Sequence, residues 1–308
     1  MRRLGVALAV SAAVSVAAAG EHAVFKSTDR GRSWTRMDAG LPRDSRINAF
    51  ASVGDALLAA TDSGIFASTD EGKTWRPTSW TGRVLALVSA GRRSFAGTDG
   101  QGVVRSTDGG QTWSPIDGFP PTKVLSLLAR GHKIYVGTDG DGVLVSADDG
   151  HDWTRMTPGF PVGAQVEGLA TVGSRVFAAL YSKGLYTWGD ERWIKAGHVT
   201  PFALTATGNV LIAGHNSGGL FRSEDLGVSW TQGVADSIAQ FPPVLADAPV
   251  WMLASEGDLL FAGVAAGIYY SEDRGATWTR ARAGLPEKAP GIAFLLQPDF
   301  VLAAVTLK

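Results

Sequence analysis

Three cationic side chains that share one position in a repeating pattern are the residues best suited to bind a ligand. Arg46, Arg83 and Lys123 each stand one residue before an apolar, strand-like run, and Gln165 takes that position in the following repeat. Guanidinium groups can form bidentate hydrogen bonds to a carboxylate or a sulfate, and an ammonium group adds a point charge. If the repeats surround one axis, the pattern predicts that these side chains meet in one sector and bind an anionic ligand. The alternative is that long cationic side chains extend to solvent at strand ends.

Three further candidates interrupt a second recurring position, the corner that follows the next strand of each repeat. Asp62, Asp99 and Asp139 recur there, and Asp at such a place is typical of turn hydrogen bonding. The corners that break this rule carry Tyr181, Lys183 and His215. A long connection, residues 233–249, contains Phe241-Pro-Pro243, and long loops on rigid scaffolds often carry function. These corners and this loop are therefore further candidates for ligand contact.

The sequence offers no recognisable metal or cofactor site. It contains no cysteine, so a thiol nucleophile, a disulfide or a Cys-ligated metal cannot form. The histidines are scattered, and no pair has the spacing of helical metal ligands. We find no nucleotide-binding glycine loop and no serine-hydrolase elbow. We therefore expect no metal and no cofactor, and the sequence identifies no catalytic residue.

One eight-residue phrase organises the chain around these candidates. It reads Ser-x-Asp-x-Gly-x-Thr/Ser-Trp, and Ser106–Trp113 is one of its full copies. Ser146–Trp153 is a looser copy, and Thr187–Trp193 is a shortened one. Each copy lies between strand-like runs, where Ser and Asp can bond backbone N–H groups and Gly can adopt positive φ. We call this turn the box and predict that its carboxylates are structural: Asp29, Asp70, Asp108, Asp148, Asp225 and Asp273.

The box resembles the Asp-box, or BNR, repeat of sialidase-like β-propellers, and this resemblance covers the chain after its first twenty or so residues. The sequence is also similar to the Asp-box propellers of the photosystem II assembly-factor type, which are seven-bladed binding proteins. In this family the ligand lies on the face opposite the boxes. The resemblance therefore places the candidate residues, which stand at strand starts and corners, on the ligand-binding face.

The spacing of the boxes predicts the fold. Their final Trp residues are 37 to 48 residues apart, the size of a four-stranded propeller blade. The run Ala23-Val24-Phe25 leads directly into the first box, so that blade lacks two strands, which the runs at 292–296 and 300–305 can supply. We predict an all-β domain over residues 20–308. It is a seven-bladed β-propeller of four-stranded antiparallel blades, in which C-terminal strands close the N-terminal blade and leave no open edge.

Residues 1–19 read as a secretory signal peptide. Arg2-Arg3 precede an apolar stretch from Leu4 to Ala19 that ends in small residues. This predicts a secreted or periplasmic protein with no stable membrane span after cleavage. A second interpretation stays open, because residues 6–27 align with residues 47–68 without a gap, as if the leader formed two strands of a blade.

Charge and family resemblance leave two classes of function. The net charge of −1 gives no general attraction to nucleic acid, and we expect a monomer. The first hypothesis is a binding scaffold that holds a protein, a peptide or an acidic glycan on the face opposite the boxes.

The second hypothesis is a glycoside hydrolase of the exo-alpha-sialidase type. The resemblance implies an arginine triad, a Tyr nucleophile activated by Glu and an acidic acid/base residue for this activity. The sequence departs from that pattern, because the expected Arg-Ile-Pro start is absent and no Tyr–Glu pair stands out. A xyloglucanase-like enzyme has a long cleft that resembles two such propellers, whereas this chain has one. The sequence therefore favours the binding scaffold.

Overall fold

The chain folds into seven antiparallel sheets arranged as the blades of a β-propeller. The structure is a computed structural model that describes residues 10–11, 20–232, 245 and 248–307. Each blade has four strands, and one blade carries a short fifth strand. This confirms the predicted fold class.

The blades are numbered from the one that contains the first box, and their strands are given from the inside outward. Blade 1 is β28 (Gly291–Leu296), β29 (Val301–Leu307), β2 (Glu21–Ser27) and β3 (Thr35–Arg36). Blade 2 is β4 (Ile47–Val53), β5 (Ala56–Thr61), β6 (Gly64–Ser68) and β7 (Arg76–Pro77). Blade 3 is β8 (Val84–Ala90), β9 (Arg93–Thr98), β10 (Val103–Ser106) and β11 (Ser114–Pro115). Blade 4 is β12 (Val124–Arg130), β13 (Lys133–Thr138), β14 (Val143–Ser146) and β15 (Thr154–Met156).

The remaining blades follow the same order. Blade 5 is β16 (Val166–Val172), β17 (Arg175–Leu180), β18 (Gly184–Gly189) and β19 (Arg192–Lys195). Blade 6 is β20 (Ala203–Thr207), β21 (Val210–Gly214), β22 (Leu220–Ser223) and β23 (Thr231–Gln232). Blade 7 is β24 (Val250–Glu256), β25 (Leu259–Val264), β26 (Gly267–Ser271) and β27 (Thr279–Arg280).

Blade 1 is closed by the C-terminal strands, as the sequence predicts. β29 pairs with β2 in antiparallel register from Glu21 with Leu307 to Ser27 with Val301. β28 lies inside β29 and contacts the inner strands of blades 2 and 7. The seven inner strands thus form a closed ring, which removes the exposed sheet edges that an open array would have.

The strand order gives the propeller two distinct ends. All inner strands run in the same direction, so their first residues lie at the same end as the corners between second and third strands. The boxes connect third and fourth strands and therefore lie at the opposite end. We call the two ends the corner face and the box face. The candidate side chains stand on the corner face.

Each box is held by a compact set of hydrogen bonds. In blade 3 the Ser106 Oγ donates to Asp108 Oδ1 at 2.8 Å and accepts from the Gly110 N–H at 2.9 Å. Asp108 accepts from the N–H and the Oγ of Thr112 at 3.0 and 2.5 Å. The Trp113 Nε1 donates to the Gly110 carbonyl at 2.9 Å. A Cβ at position 110 would lie 2.3 Å from the Leu58 side chain of the preceding blade, so this box position requires glycine.

These hydrogen bonds lower the pKa of the box carboxyls. Those from the side chain and then the backbone of Thr112 hold the pKa of Asp108 at about 2, below the model-peptide value of 3.8. The equivalent bonds lower the pKa of Asp29, Asp70 and Asp225 to about 2 as well. A carboxyl with a lowered folded-state pKa stabilises the fold above its unfolded pKa, and this contribution is lost as the pH falls. The ionised box carboxylates therefore stabilise the folded protein at neutral pH.

The hydrophobic core consists of layers between neighbouring blades. One cluster joins Phe25 and Trp34 of blade 1 to Phe261 of blade 7 and Phe294 of β28. The Trp34 and Phe261 rings meet edge to face, with their centroids 5.8 Å apart. Burial on both faces explains why the inner and second strands read as continuous apolar runs. Packing between neighbouring blades therefore holds the ring together and sets the positions of the corners on the corner face.

Two parts of the chain lie partly outside the described residues. In the predicted leader, only β1 (Val10–Ser11) is described; it pairs antiparallel with Leu127 and Ser126 of β12, on the inner edge of blade 4. The rest of the predicted signal peptide and residues 233–244, 246 and 247 of the long loop lie outside the described residues. Within the described part of the chain, no helix is long and apolar enough to cross a membrane.

Candidate functional site

Six inner strands carry a β-bulge near their first residue, at the corner face. In six blades the second residue of the inner strand is skipped in the pairing with the second strand. Such bulges redirect a side chain out of the regular alternation. Leu85 and Leu125 contact each other in a cluster separate from the blade-to-blade layers, which indicates that bulged side chains face the central channel. The six bulged residues are Asn48, Leu85, Leu125, Glu167, Trp251 and Ile292.

The cations that precede the inner strands are bound by corner carboxylates. Arg83 of blade 3 reaches Asp62 of blade 2 at 2.9 Å and Asp99 of its own blade at 3.0 Å. Lys123 of blade 4 reaches Asp99 of blade 3 at 3.4 Å. In blade 5 the Gln165 Nε2 donates to Asp139 of blade 4 at 2.7 Å. Each of these side chains therefore binds the corner of the preceding blade, and the positive charges of Arg83 and Lys123 are matched within the protein.

This arrangement differs from the turn role expected for the corner aspartates. The threonine before each aspartate makes the local turn bonds, as when Thr98 Oγ1 donates to the Gly102 carbonyl at 2.8 Å. Asp62 instead accepts side-chain hydrogen bonds from Asn48 and Arg83, at 2.8 and 2.9 Å. The aspartates thus join neighbouring blades, because each corner lies beside the strand start of the next blade.

Arg46 is the exception among the cations. Its carbonyl accepts from the Asp62 N–H at 3.0 Å. Within the described residues its side chain makes no hydrogen bond or ion pair, and its Nε is buried without a partner. The preceding blade is blade 1, whose equivalent corner is the junction between Leu307 and Glu21. The Glu21 carboxylate is bound there by Arg36 and Arg43, at 3.5 and 3.3 Å. Burial and then the charge of Arg83 lower the pKa of Arg46, although Asp62 opposes this. Arg46 is thus a half-buried cation whose charge no contacting carboxylate neutralises.

Glu167, in blade 5, is a carboxylate that likewise lacks a partner among the described residues, as Arg46 does in blade 2. It is the bulged residue of blade 5, and it is only 4% exposed. Within the described residues no hydrogen bond or ion pair involves its carboxyl group. Burial and then the charge of Asp139 raise its pKa to about 7, while Lys123 acts in the opposite direction. Glu167 is thus poised between its neutral and charged forms near neutral pH.

The three corner candidates lie at the corners of blades 5 and 6, where the Tyr181 N–H donates to the Gln165 carbonyl at 3.0 Å. Tyr181 is 40% exposed at the blade 5 corner, and the Lys183 Nζ donates to the Val162 carbonyl at 2.9 Å. His215 lies at the blade 6 corner, where its Nδ1 accepts from the Ser217 N–H at 3.1 Å. Tyr181 and Lys183 therefore belong to the charged side of the corner face, whereas His215 stabilises its own turn.

The structure shows little that fits a sialidase-type active site. Among the described residues no Tyr hydroxyl bonds a Glu carboxylate. No group of three or more His, Asp or Glu side chains in the described part of the chain could hold a metal ion. A cavity of about 210 Å³ lies on the box face between blades 7 and 1, lined by Glu256, Asp258 and Asp299 among others. Asp258 is already bound by Arg274, at 2.5 Å.

Sequence reasoning identified the cations but missed Glu167. The missed signal was a charged residue as the second member of an otherwise apolar run, at a position where neighbouring repeats carry Leu85 and Leu125. Because Asn48 also occupies this position, the polar members of the ring lie in blades 2 and 5. Arg46 and Glu167 therefore bring one unpaired charge of each sign to the corner face, in blades 2 and 5.

Comparison with known proteins supports the fold. Residues 6–124 match the sequence profile of the DUF6242 beta propeller domain. No curated protein sequence matches the chain.

Solved structures give similar propellers at low sequence identity. One is the GH74 xyloglucanase from Xanthomonas campestris, with a TM-score of 0.71 and 18% identity over 98% of this chain. This chain spans 58% of the length of that enzyme. Another is YCF48 bound to a D1 peptide, with a TM-score of 0.66 and 18% identity, covering 87% of this chain and 96% of the other. YCF48 from Cyanidioschyzon merolae has a TM-score of 0.63 and 19% identity, covering 87% of this chain and 97% of the other. At these identities the likeness establishes the β-propeller fold.

Proposed function

We propose that this protein is a binding propeller that holds a peptide on its corner face. The observation that carries the proposal is Arg46, a half-buried guanidinium without a partner among the described residues, beside cations that are all matched. A buried charge left unpaired is costly, so a site of this kind is typical of a group that a ligand completes. Arginine forms strong, directional hydrogen bonds to carboxylates, which favours an acidic peptide over a neutral ligand.

The size of the propeller supports a peptide over a long glycan. Most of this chain corresponds to nearly all of YCF48, which has been solved with a bound peptide, but to little more than half of the xyloglucanase. We propose from its boxes that the chain belongs to the Asp-box, sialidase-like and photosystem II assembly-factor-like superfamily. We further propose that it acts as a monomer in a secreted or periplasmic compartment, with an acidic glycan as the alternative ligand and no affinity for nucleic acid.

Selection from a peptide library tests this function directly. Full-length protein is used to select phage-displayed random octapeptides, and the enriched peptides are resynthesised and titrated by calorimetry. We expect acidic peptides to be enriched and their affinity to fall at least about tenfold in Arg46→Gln, because a charge-assisted hydrogen bond is lost. Arg130→Gln, a change at the exposed box-face end of β12, is the matched control. If no peptide is enriched, or if both variants bind equally, the proposed function is wrong.

A glycoside hydrolase is the second candidate, because Glu167 has one property of a catalytic acid. Its pKa of about 7 would keep much of it protonated at neutral pH, and the charge of Asp139 contributes to that value. Paired carboxyl groups of unequal pKa are the usual machinery of glycoside hydrolysis. However, Asp139 already accepts a hydrogen bond from Gln165.

Turnover measurements separate the two candidates. Purified protein is incubated with a fluorogenic sialoside and with xyloglucan, alongside Glu167→Gln. The binding hypothesis predicts no turnover by either protein. Turnover that disappears in Glu167→Gln and persists in Glu256→Gln, which alters the other end of an inner strand, would establish the hydrolase instead.

A further inference from the structure

The channel of the propeller holds a short strand from the N-terminal leader. β1 pairs antiparallel with β12, with Val10 opposite Leu127 and Ser11 opposite Ser126, and it lies on the channel side of that inner strand. It also contacts β4, β8 and β16, the inner strands of blades 2, 3 and 5. Because the inner strands surround the channel, this segment of the leader lies within it.

The direction of this strand agrees with the path of the chain. β12 begins at the corner face, so its antiparallel partner runs from the box face toward the corner face. The chain enters blade 1 at the same face, where Glu21 at the start of β2 pairs with Leu307. Residues 12–19 join the two strands, and a chain of that length reaches up to about 30 Å, whereas a third strand lies only about 10 Å outside the inner strand of its blade. Pairing of the leader with β12 is therefore compatible with the closure of blade 1.

At the paired positions β12 presents its main chain, rather than its side chains, to the channel. The Ser126 Oγ donates to the Val166 carbonyl of blade 5 at 2.8 Å, and Leu127 is buried in the layer between blades 3 and 4. An inner edge carries backbone N–H and C=O groups that the second strand of the blade does not bind, and such an edge can take up an extended chain as a further strand. This is the contact that β1 makes with β12.

The channel wall beside this edge determines which kind of segment can pair there. The bulged Leu85 and Leu125 contact each other next to the paired positions, and the bulged Glu167 follows in blade 5. An apolar segment can pack on the two leucines, whereas an acidic one would bring a second carboxyl group toward Glu167. The leader fits this wall, because residues 4–19 contain no charged side chain and consist mostly of Ala, Val and Ser. Valine also favours the extended conformation that strand pairing requires.

We propose that the channel edge of β12 is a strand-addition site for extended peptide segments of small apolar residues, and that the leader occupies this site in the full-length chain. Main-chain hydrogen bonds to β12 and apolar contact with the channel wall hold the segment. A ligand segment must therefore displace the leader, and removal of residues 1–19 would vacate the site. This inference goes beyond the proposed corner-face function, because it concerns the channel and depends neither on Arg46 nor on an acidic ligand.

Disulfide trapping tests the contact within the chain, and the absence of cysteine from the sequence makes the reaction specific. Full-length protein, with residues 1–19 verified by mass, carries Ser11→Cys with Ser126→Cys; the matched control pairs Ser11→Cys with Ser52→Cys, near the box-face end of β4. Directly opposed residues of an antiparallel ladder have Cα atoms about 4.5–5.5 Å apart, a distance that a disulfide can span. We expect mild oxidation to link the first pair and not the second, as measured by peptide mass spectrometry. A first pair that stays reduced, or equal linkage of both pairs, would overturn the proposal.

A synthetic peptide of residues 6–15 tests the site in trans. It carries a fluorescein group and is titrated by fluorescence anisotropy against four full-length proteins: the parent, Val10→Pro/Ser11→Pro, Val10→Ala/Ser11→Ala and the oxidised Ser11→Cys/Ser126→Cys protein. Proline has no N–H to donate to a ladder, so the proline variant frees the edge of β12, whereas the alanine variant keeps both donors. The proline and alanine changes lie in the leader and leave the sequence of the blades unaltered.

The affinity of the peptide should follow the state of the leader. Because a tethered strand competes at high effective concentration, the proline variant should bind the peptide at least about tenfold more tightly than the parent and the alanine variant do. The oxidised protein should not bind it, and reduction should restore the affinity of the parent. A second peptide, with proline at the positions of Val10 and Ser11, should bind none of these proteins.

The outcomes decide this inference separately from the proposed function. If the proline variant binds the peptide no more tightly than the parent, or binds the proline-containing peptide equally well, the strand-addition site is wrong. Oxidised protein that binds the peptide as tightly as the proline variant would place the peptide elsewhere and also overturn the site. Binding of acidic octapeptides through Arg46 is measured in its own experiment, so a failure in the channel leaves the corner-face proposal standing.

Discussion

At the scale of single residues, Glu167 makes the stability of the protein depend on pH. Its folded-state pKa of about 7 is above the model-peptide value of 4.5, so the folded protein binds this proton more tightly than the unfolded chain does. The stabilising contribution is therefore full below about pH 4.5 and is lost as the pH rises through about 7.

Glu167→Gln should remove this dependence because glutamine stays neutral. We expect the variant to gain on the order of 2 kcal/mol in unfolding free energy relative to the parent between pH 5 and pH 8. Urea unfolding at both pH values measures the change. Glu191→Gln, at an exposed turn, is the control and should follow the parent. Parallel curves for the parent and Glu167→Gln would show that this carboxyl group titrates like an exposed one.

The sequence predicted the positions of the candidate cations better than their electrostatics. The apolar runs after Arg46, Arg83 and Lys123 were enough to place these cations at one end of the inner strands. The pairing of Arg83 with Asp62 depends on which blade is its neighbour in the ring, and no local pattern reports that. Arg46 stays unmatched because Glu21, the carboxylate at the junction of β29 and β2 in blade 1, is bound by Arg36 and Arg43.

At the scale of structural elements, the box is a turn whose Trp anchors one blade against its neighbours. Trp113 is 7% exposed and belongs to the cluster that joins blades 2 and 3 to blades 1 and 7. Its backbone N–H donates to Ser79 in the connection between blades 2 and 3, at 2.9 Å. The box therefore acts through burial and hydrogen bonding within the fold.

Trp113→Ala should destabilise the protein without altering the ligand site. Truncation of a buried aromatic side chain leaves a cavity, and we expect a loss of about 3–5 kcal/mol in unfolding free energy. Trp153→Ala is the matched control and should cost less, because Trp153 is half-buried and its Nε1 has no hydrogen-bond partner. Denaturant unfolding measures both changes. A fully stable Trp113→Ala protein that no longer binds peptide would mean that the box face is the working face.

The sequence predicted strands and boxes well, but it did not predict the bulges. The repeated phrase fixed the third and fourth strands of every blade, since its Ser, Asp and Gly positions each have a turn role. A bulged residue such as Leu85 keeps the apolar character of its neighbours, so nothing in the letters distinguishes it. Only the pairing with the second strand shows that its side chain leaves the blade. Glu167 differs, because a charge inside an apolar run was a visible signal that went unused.

At the scale of the whole molecule, the C-terminal strands hold the ring closed. A chain that ends at Pro290 would lack β28 and β29, exposing the inner edge of β2 and the facing sides of blades 2 and 7. We expect this truncation to abolish the cooperative thermal transition, because two blade interfaces lose their partner. Removing Lys308 alone is the control and should leave the transition unchanged. An unaltered melting transition in the longer truncation would refute closure by these strands.

The overall architecture could be predicted because each repeat carries its own turn signals. The spacing of Trp residues gave the number of blades, and the two strands missing before Ala23 gave the closure. The sequence does not decide the role of the leader, residues 1–19, because an Ala- and Val-rich segment suits both a signal peptide and a strand. Val10–Ser11 pair with β12, and the match to a propeller domain covers residues 6–124. Cleavage of residues 1–19 as a signal peptide stays a prediction.

The central claim is that ligand binding occurs at the corner face, and photo-crosslinking of a bound peptide tests it most directly. The octapeptide most enriched on the full-length protein is synthesised with a benzophenone group at its centre, irradiated in the complex and mapped by peptide mass spectrometry. The account predicts crosslinks at the starts of the inner strands and at the corners, near residues 46–48, 165–167 and 181–183. Crosslinks confined to the boxes, or to the cavity near Glu256 and Asp299, would contradict it.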